Sequence, residues 1–128
     1  MNRSIIAAVD DMFFVARIRA TAESLGLRVD FVKSIEALSN LVEKEIPALI
    51  VADLHSQKCD PFTLAEQIKA DERLRRVPLI GFYSHVQIKL QHRAADAGFD
   101  RIMPRSVFTK HLPDILQGNV SKPTSQSV

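Results

Sequence analysis

Three acidic side chains carry the chemistry this sequence offers. Asp10 and Asp11 follow the apolar run SIIAAV at residues 4–9, and Asp53 follows ALIVA at residues 48–52. One acid at the end of a strand is ordinary, because strand ends meet water. Acids ending two strands that lie side by side are another matter, since like charges that close repel unless a proton or a cation offsets them. Oxygen donors without thiolate or imidazole suit Mg²⁺, which keeps several waters and takes a few carboxylates. A carboxylate left free beside such an ion can receive a phosphoryl group.

Whether these acids meet depends on the elements that carry them. Apolar runs of strand length alternate with segments of helical period. The run at 4–9 reads as a buried strand. Phe14, Ile18 and Leu25 then fall on one helical stripe, with Gly26 as its stop. Residues 28–32 (RVDFV) alternate as an edge strand should, and Ser34 can cap a helix that turns Leu38, Leu41 and Val42 inward. After the strand at 48–52, Asp60-Pro61 is a helix start, with Phe62, Ala65 and Ile68 as the buried face. PLIGFY at 78–83 is a fourth strand. Ser84 and Gln87 have capping-box spacing for a helix reaching about Ala97, which Gly98 ends. Residues 99–103 make a weaker fifth strand. A last helix is expected over 107–117, burying Phe108, Leu112 and Ile115 and carrying Pro113 in its first turns, and residues 118–128 read as a polar tail.

Five strands alternating with five helices predict a single α/β domain over 1–117: a doubly wound five-stranded parallel sheet with helices on both faces. The commonest strand order at this length, 2-1-3-4-5, makes strands one and three neighbours and puts ligands at their carboxyl ends. The three acids then converge.

The bulk properties narrow the function classes. A net charge of +2 over 128 residues argues against a nucleic-acid partner. The cluster Lys69, Arg73, Arg75 and Arg76 lacks interleaved aromatics and reads as a solvated helix end. No run is long enough to span a bilayer, and Asp10-Asp11 cuts the first apolar run short, so the expectation is a cytoplasmic protein without a membrane partner. Cys59 is the only cysteine, which excludes an intrachain disulfide and reads as a loop residue without a catalytic role. No glycine-rich loop follows strand one, which argues against nucleotide binding.

The runs IIAAVDD and ALIVADL, set in this alternation over residues 4–117, resemble the receiver domain of bacterial response regulators. The resemblance implies that Asp10, Asp11 and Asp53 bind Mg²⁺ and that Asp53 takes a phosphoryl group from a histidine kinase or phosphotransfer protein. It also implies that the backbone carbonyl of His55 joins the metal. The pattern departs at several places. Counting forward from Asp53, the family's hydroxyl residue falls on Tyr83, with Ser84 next door as a substitute or simply as a helix cap. The family's lysine falls on Arg105, the proline after it on Ser106, and the aromatic switch residue on Ile102. Gln57 stands where a proline is usual and Pro61 where a glycine is usual. A cis bond before Ser106 would cost ~3 kcal/mol. Arg105 retains the charge in a planar fork of donors, though not the geometry of a lysine.

The leading expectation is a stand-alone receiver, not an enzyme, that is phosphorylated on Asp53 and signals by protein contact. Its face would be helix four, strand five and helix five, with Lys89, Arg93, Arg101 and Lys110 as candidates. The alternative is a degenerate receiver serving as a phosphorylation-independent binding or homodimerisation module. A small hydrolase using Asp53 as nucleophile is a third class, for which the sequence shows no suitable general acid.

Overall fold

A computed structural model describes residues 3–84 and 88–118. Five strands, β1 (Ser4–Ala8), β2 (Arg28–Phe31), β3 (Leu49–Asp53), β4 (Leu79–Tyr83) and β5 (Arg101–Pro104), alternate with helices α1 (Met12–Ser24), α2 (Ile35–Lys44), α3 (Pro61–Ala70) and α4 (Ile88–Ala97). Two short helices follow, α5 (Arg105–Lys110) and α6 (Leu112–Leu116). The sheet is wholly parallel in the order β2-β1-β3-β4-β5, as expected from the alternation.

Side-chain alternation splits the core into two layers. Ile5, Ala7, Leu49, Val51, Ile80, Phe82 and Met103 pack against α1, α5 and α6. Ile6, Ala8, Ile50, Ala52, Leu79 and Tyr83 pack against α2, α3 and α4. β1, β3 and β4 are covered on both sides, and all their residues are buried. β2 at the edge is only half covered. Burying each large aliphatic side chain contributes about 1.5–3 kcal/mol.

The helix starts obey their sequence signals. Ser34 Oγ accepts from the Ala37 N–H, and Asp60 Oδ2 accepts from the Thr63 N–H with Pro61 in the first turn. Gly26 and Gly98 end α1 and α4 at positive φ, where a side chain would be strained. The cap expected from Ser84 and Gln87 involves residue 87, which lies outside the described residues, as does most of the expected tail.

Two expectations change. The fifth strand starts two residues later than the reading of 99–103 and ends one later, at Pro104, while Phe99 packs in the core just before it. The single last helix is two: α5 stops at His111, and Pro113 sits in the first turn of α6. Pro113 has no N–H to continue α5, but in a first turn that donor is not needed. The Arg105–Ser106 peptide is trans, as a non-proline residue favours.

Candidate functional site

The register of β1 on β3, Ala8 opposite Ala52, brings residues 10 and 11 beside the end of β3. An open pocket of about 440 Å³ lies there, lined by Asp10, Asp11, Asp53, His55, Ser56, Gln57, Lys58, Ser84 and Arg105. All three predicted acids border it, but they are held in different ways.

Asp53 is the last residue of β3 and is buried, 7% exposed. Its Oδ1 accepts the backbone N–H of His55 at 2.8 Å. Burial pushes its carboxyl above the usual range, and the charge of Asp10 adds to that; the His55 N–H and the Arg105 charge oppose it without cancelling it.

Asp10 is pinned by the loop after β3. Its Oδ2 accepts from Ser56 Oγ at 3.0 Å and from the backbone N–H groups of Gln57 and Lys58 at 3.1 Å each. Its Oδ1 is buried and has no hydrogen-bond partner. A buried carboxylate oxygen without a donor is costly, and a cation or a proton would relieve it.

Asp11 faces the other way. Its Oδ1 caps α1, accepting from Phe13 N–H at 2.8 Å and Phe14 N–H at 3.4 Å. Its Oδ2 takes Arg105 Nη2 at 3.0 Å. Burial acts to raise this carboxyl, but those two backbone donors and Arg105 together bring it below the usual range. Pro104 ends β5 and opens α5, which sets Arg105 at the rim, and its guanidinium lies 4.3 Å from the centroid of the Phe14 ring.

The acids therefore converge on one pocket, yet not as three free ligands. Among the described residues no group of three His, Cys, Asp or Glu is arranged to hold a metal ion. The physical reason is visible at Asp11, where one oxygen is spent on the helix cap and the other on Arg105. The remaining donors do fit a small divalent ion: Asp53 beside the unpartnered Oδ1 of Asp10, all oxygen and short of positive charge. For His55 the structure shows an N–H directed at Asp53.

The hydroxyl position resolves by strand parity. Asp53 is paired with Phe82 on β4, so Tyr83 points to the opposite face. Tyr83 is buried among Leu54, Phe62 and Phe99, and its hydroxyl accepts from Gln91 Nε2 at 3.3 Å. It does not line the pocket; exposed Ser84 does. This corrects the count that landed on Tyr83. Ile102 is likewise on the far face, partly buried against the same layer as Tyr83.

Three features were missed from sequence. Ser56 fixes Asp10 through its hydroxyl, and nothing in its local sequence marks it. Phe14 belongs to the core stripe of α1, and its second role as a platform for Arg105 needs the tertiary fold. Met12 and Phe13 are 71% and 67% exposed, and Phe13 lines a groove shared by Asp11, Ser84 and Arg105. Two bulky apolar residues directly after Asp11, off the stripe of Phe14 and Ile18, were a legible signal. Cys59 sits in a loop as expected, with its thiol buried and pushed up by desolvation. Among the described residues no helix is long and apolar enough to cross a membrane.

No protein-family model matches the chain, and no curated protein matches it. Solved structures do. The receiver domain of a sensor histidine kinase from Pseudomonas aeruginosa PAO1, with a magnesium ion coordinated in its active site cleft, superposes with a TM-score of 0.79 at 23% identity, covering 95% of this chain and 100% of that one. A chemotaxis response regulator of Vibrio cholerae gives 0.79 at 12% identity, covering 94% and 100%. The phosphorylated cyanobacterial phytochrome response regulator RcpA gives 0.74 at 19%, covering 92% and 91%. The chain has the fold of response-regulator receiver domains.

Proposed function

We propose that this chain is a response-regulator receiver that accepts a phosphoryl group on Asp53, supplied by a histidine kinase or a phosphotransfer protein. One observation carries the reading: the buried carboxylate ending β3 opens into a pocket that also holds Asp10, Asp11 and the cation Arg105, in a chain with the receiver fold.

The side chains divide the work. The His55 N–H holds Asp53 Oδ1, which leaves Oδ2 to attack phosphorus. The new O–P bond forms as the P–N bond of a phosphohistidine breaks, and the leaving imidazole takes a proton from water. Arg105, at the rim, offers guanidinium donors to the equatorial oxygens, and Ser84 offers a hydroxyl. Asp10 and Asp53, with the His55 carbonyl, would hold Mg²⁺, and Asp11 would join once freed from Arg105. When bound, that ion neutralises charge between the carboxylates and the phosphoryl oxygens. The magnesium-bearing neighbour supports this for the fold, and the orphan Oδ1 of Asp10 supports it for this chain.

We read the chain as a cytoplasmic signalling domain without catalytic turnover. Its output would leave through α4, β5 and α5. Phosphorylation by an acyl phosphate in the presence of Mg²⁺ tests the proposal: intact mass spectrometry should show one added phosphoryl group, absent in Asp53→Asn. An unmodified wild-type chain would sink it.

A degenerate receiver is the second reading. It is favoured by Asp11 being engaged by Arg105 and by Tyr83 being withdrawn from the pocket. Here Asp53→Asn should leave self-association and partner binding unchanged.

A further inference from the structure

Arg105 is built into its position more firmly than a surface cation needs to be. Its Nη2 lies 3.0 Å from Asp11 Oδ2, and its guanidinium sits 4.3 Å above Phe14. That ring is itself fixed: Phe14 lies 5.1 Å from Phe82 and 6.4 Å from Phe108, and Phe82 stacks on Phe108 at 4.5 Å. The base of this stack is fully buried. Pro104 restricts the backbone just before Arg105. The planar guanidinium can lie on a ring and still reach a carboxylate, which an ammonium cannot do equally well.

We propose that Arg105 is a tethered counter-cation that competes with a divalent ion for Asp11, so that the aromatic stack under Arg105 sets the metal affinity of the pocket. This rests on the metal-assisted reading of the site. The guanidinium and the ion cannot both hold Asp11 Oδ2. An ion that recruits Asp11 must lift Arg105 away, and by linkage anything that draws Arg105 to another anion strengthens metal binding by the same factor. Arg105 Nε is buried and without a partner where it stands, so a side chain lifted toward such an anion would gain a donor contact.

Calorimetric titration of the full chain with MgCl₂ and with MnCl₂ tests this. Arg105→Ala should bind either ion roughly five- to twentyfold more tightly than wild type, the range expected for losing a half-exposed pair reinforced by stacking. Phe14→Leu should move affinity the same way by less, and Arg105→Lys should fall between wild type and Arg105→Ala. In an Asp11→Asn background, the gain from Arg105→Ala should shrink to the smaller part that comes from removing a positive charge near Asp53. Circular dichroism of each variant checks folding. Unchanged or weaker binding by a folded Arg105→Ala, with wild type binding normally, overturns the competition and leaves the receiver reading intact. No uptake of either ion by any variant overturns both the competition and the metal-assisted reading, while phosphorylation of Asp53 remains a separate measurement.

Discussion

The two faces of the sheet treat the pocket differently. On the α1, α5 and α6 face, Phe14, Phe82 and Phe108 form a continuous aromatic stack that ends at the guanidinium of Arg105. On the α2, α3 and α4 face, Tyr83, Leu54 and Phe99 pack beside Ala94 and Ala97, and no side chain of that set lines the pocket. The first face reaches Asp53 and Arg105; the second stabilises the strands and meets the site only where Cys59 lies near Asp10 and its N–H donates to Ser56. The difference teaches where a change at the pocket can be felt: Asp53, Ser84 and Arg105 share the parity of the aromatic face, while Tyr83 and Ile102 share that of the other.

The largest expected effects test the coupling itself. Phe108 and Leu64 are both fully buried, one under each face. Truncating either to Ala should cost about 3–5 kcal/mol for the ring and about 2–5 kcal/mol for the leucine, measured by urea denaturation. Only Phe108→Ala should also alter the rate of Asp53 phosphorylation in the residual folded protein, because only its loss loosens Phe14 and Arg105. Equal changes in rate from both variants would break the contrast.

Gly81→Ala comes next and concerns the second face alone. A Cβ at residue 81 would stand 2.9 Å from Phe99 Cε2 and 3.1 Å from Leu54 Cδ2. Overpacking of this kind should cost about 1–3 kcal/mol in denaturant, with the phosphorylation rate of the folded fraction unchanged.

Most of the fold was legible because its signals are local: strand-length apolar runs, Asp60-Pro61, and glycines 26 and 98 after helical stripes. The acids of the pocket were legible for the same reason, since each directly follows an apolar run. What was hidden depends on relations between elements. Parity across β3 and β4, set by Asp53 opposite Phe82, decides between Tyr83 and Ser84, and a count along the chain does not contain it. The engagement of Asp11 by Arg105 joins residues ninety-four apart. The break at His111 is hidden too, because Pro113 suits the first turn of any helix and does not by itself mark where a second one starts.

A smaller effect follows from the charge of Asp53 under metal-free conditions. Its folded carboxyl is raised, chiefly by burial, so between the ordinary carboxylate range and the raised folded value the native state binds more protons than the unfolded chain. Stability contributed at this position is therefore undiminished below the ordinary carboxylate range, and it falls as pH rises through the raised folded value. Asp53→Asn should then be more stable than wild type near neutrality, with the gain shrinking to nothing in acid. Thermal unfolding of both proteins across that range measures it. A gain that grows towards acid would show Asp53 to be held as a stabilised anion.

The smallest expected effect bears hardest on the contrast between faces. Tyr83→Phe removes a single hydroxyl, which accepts one long bond from Gln91, and leaves the buried ring in place. Losing one modest neutral hydrogen bond should cost about 0.5–1.5 kcal/mol at most. If Tyr83 is shut away from the pocket, the variant should match wild type in phosphorylation rate and in the lifetime of phospho-Asp53. Ser84→Ala, one residue further and on the opposite face, should change the rate or the lifetime while leaving stability nearly as it was. The reverse pattern, with Tyr83→Phe altering the phosphorylated state and Ser84→Ala silent, would mean that the tyrosine swings into the pocket when a phosphoryl group arrives. The second face would then carry the signal after all.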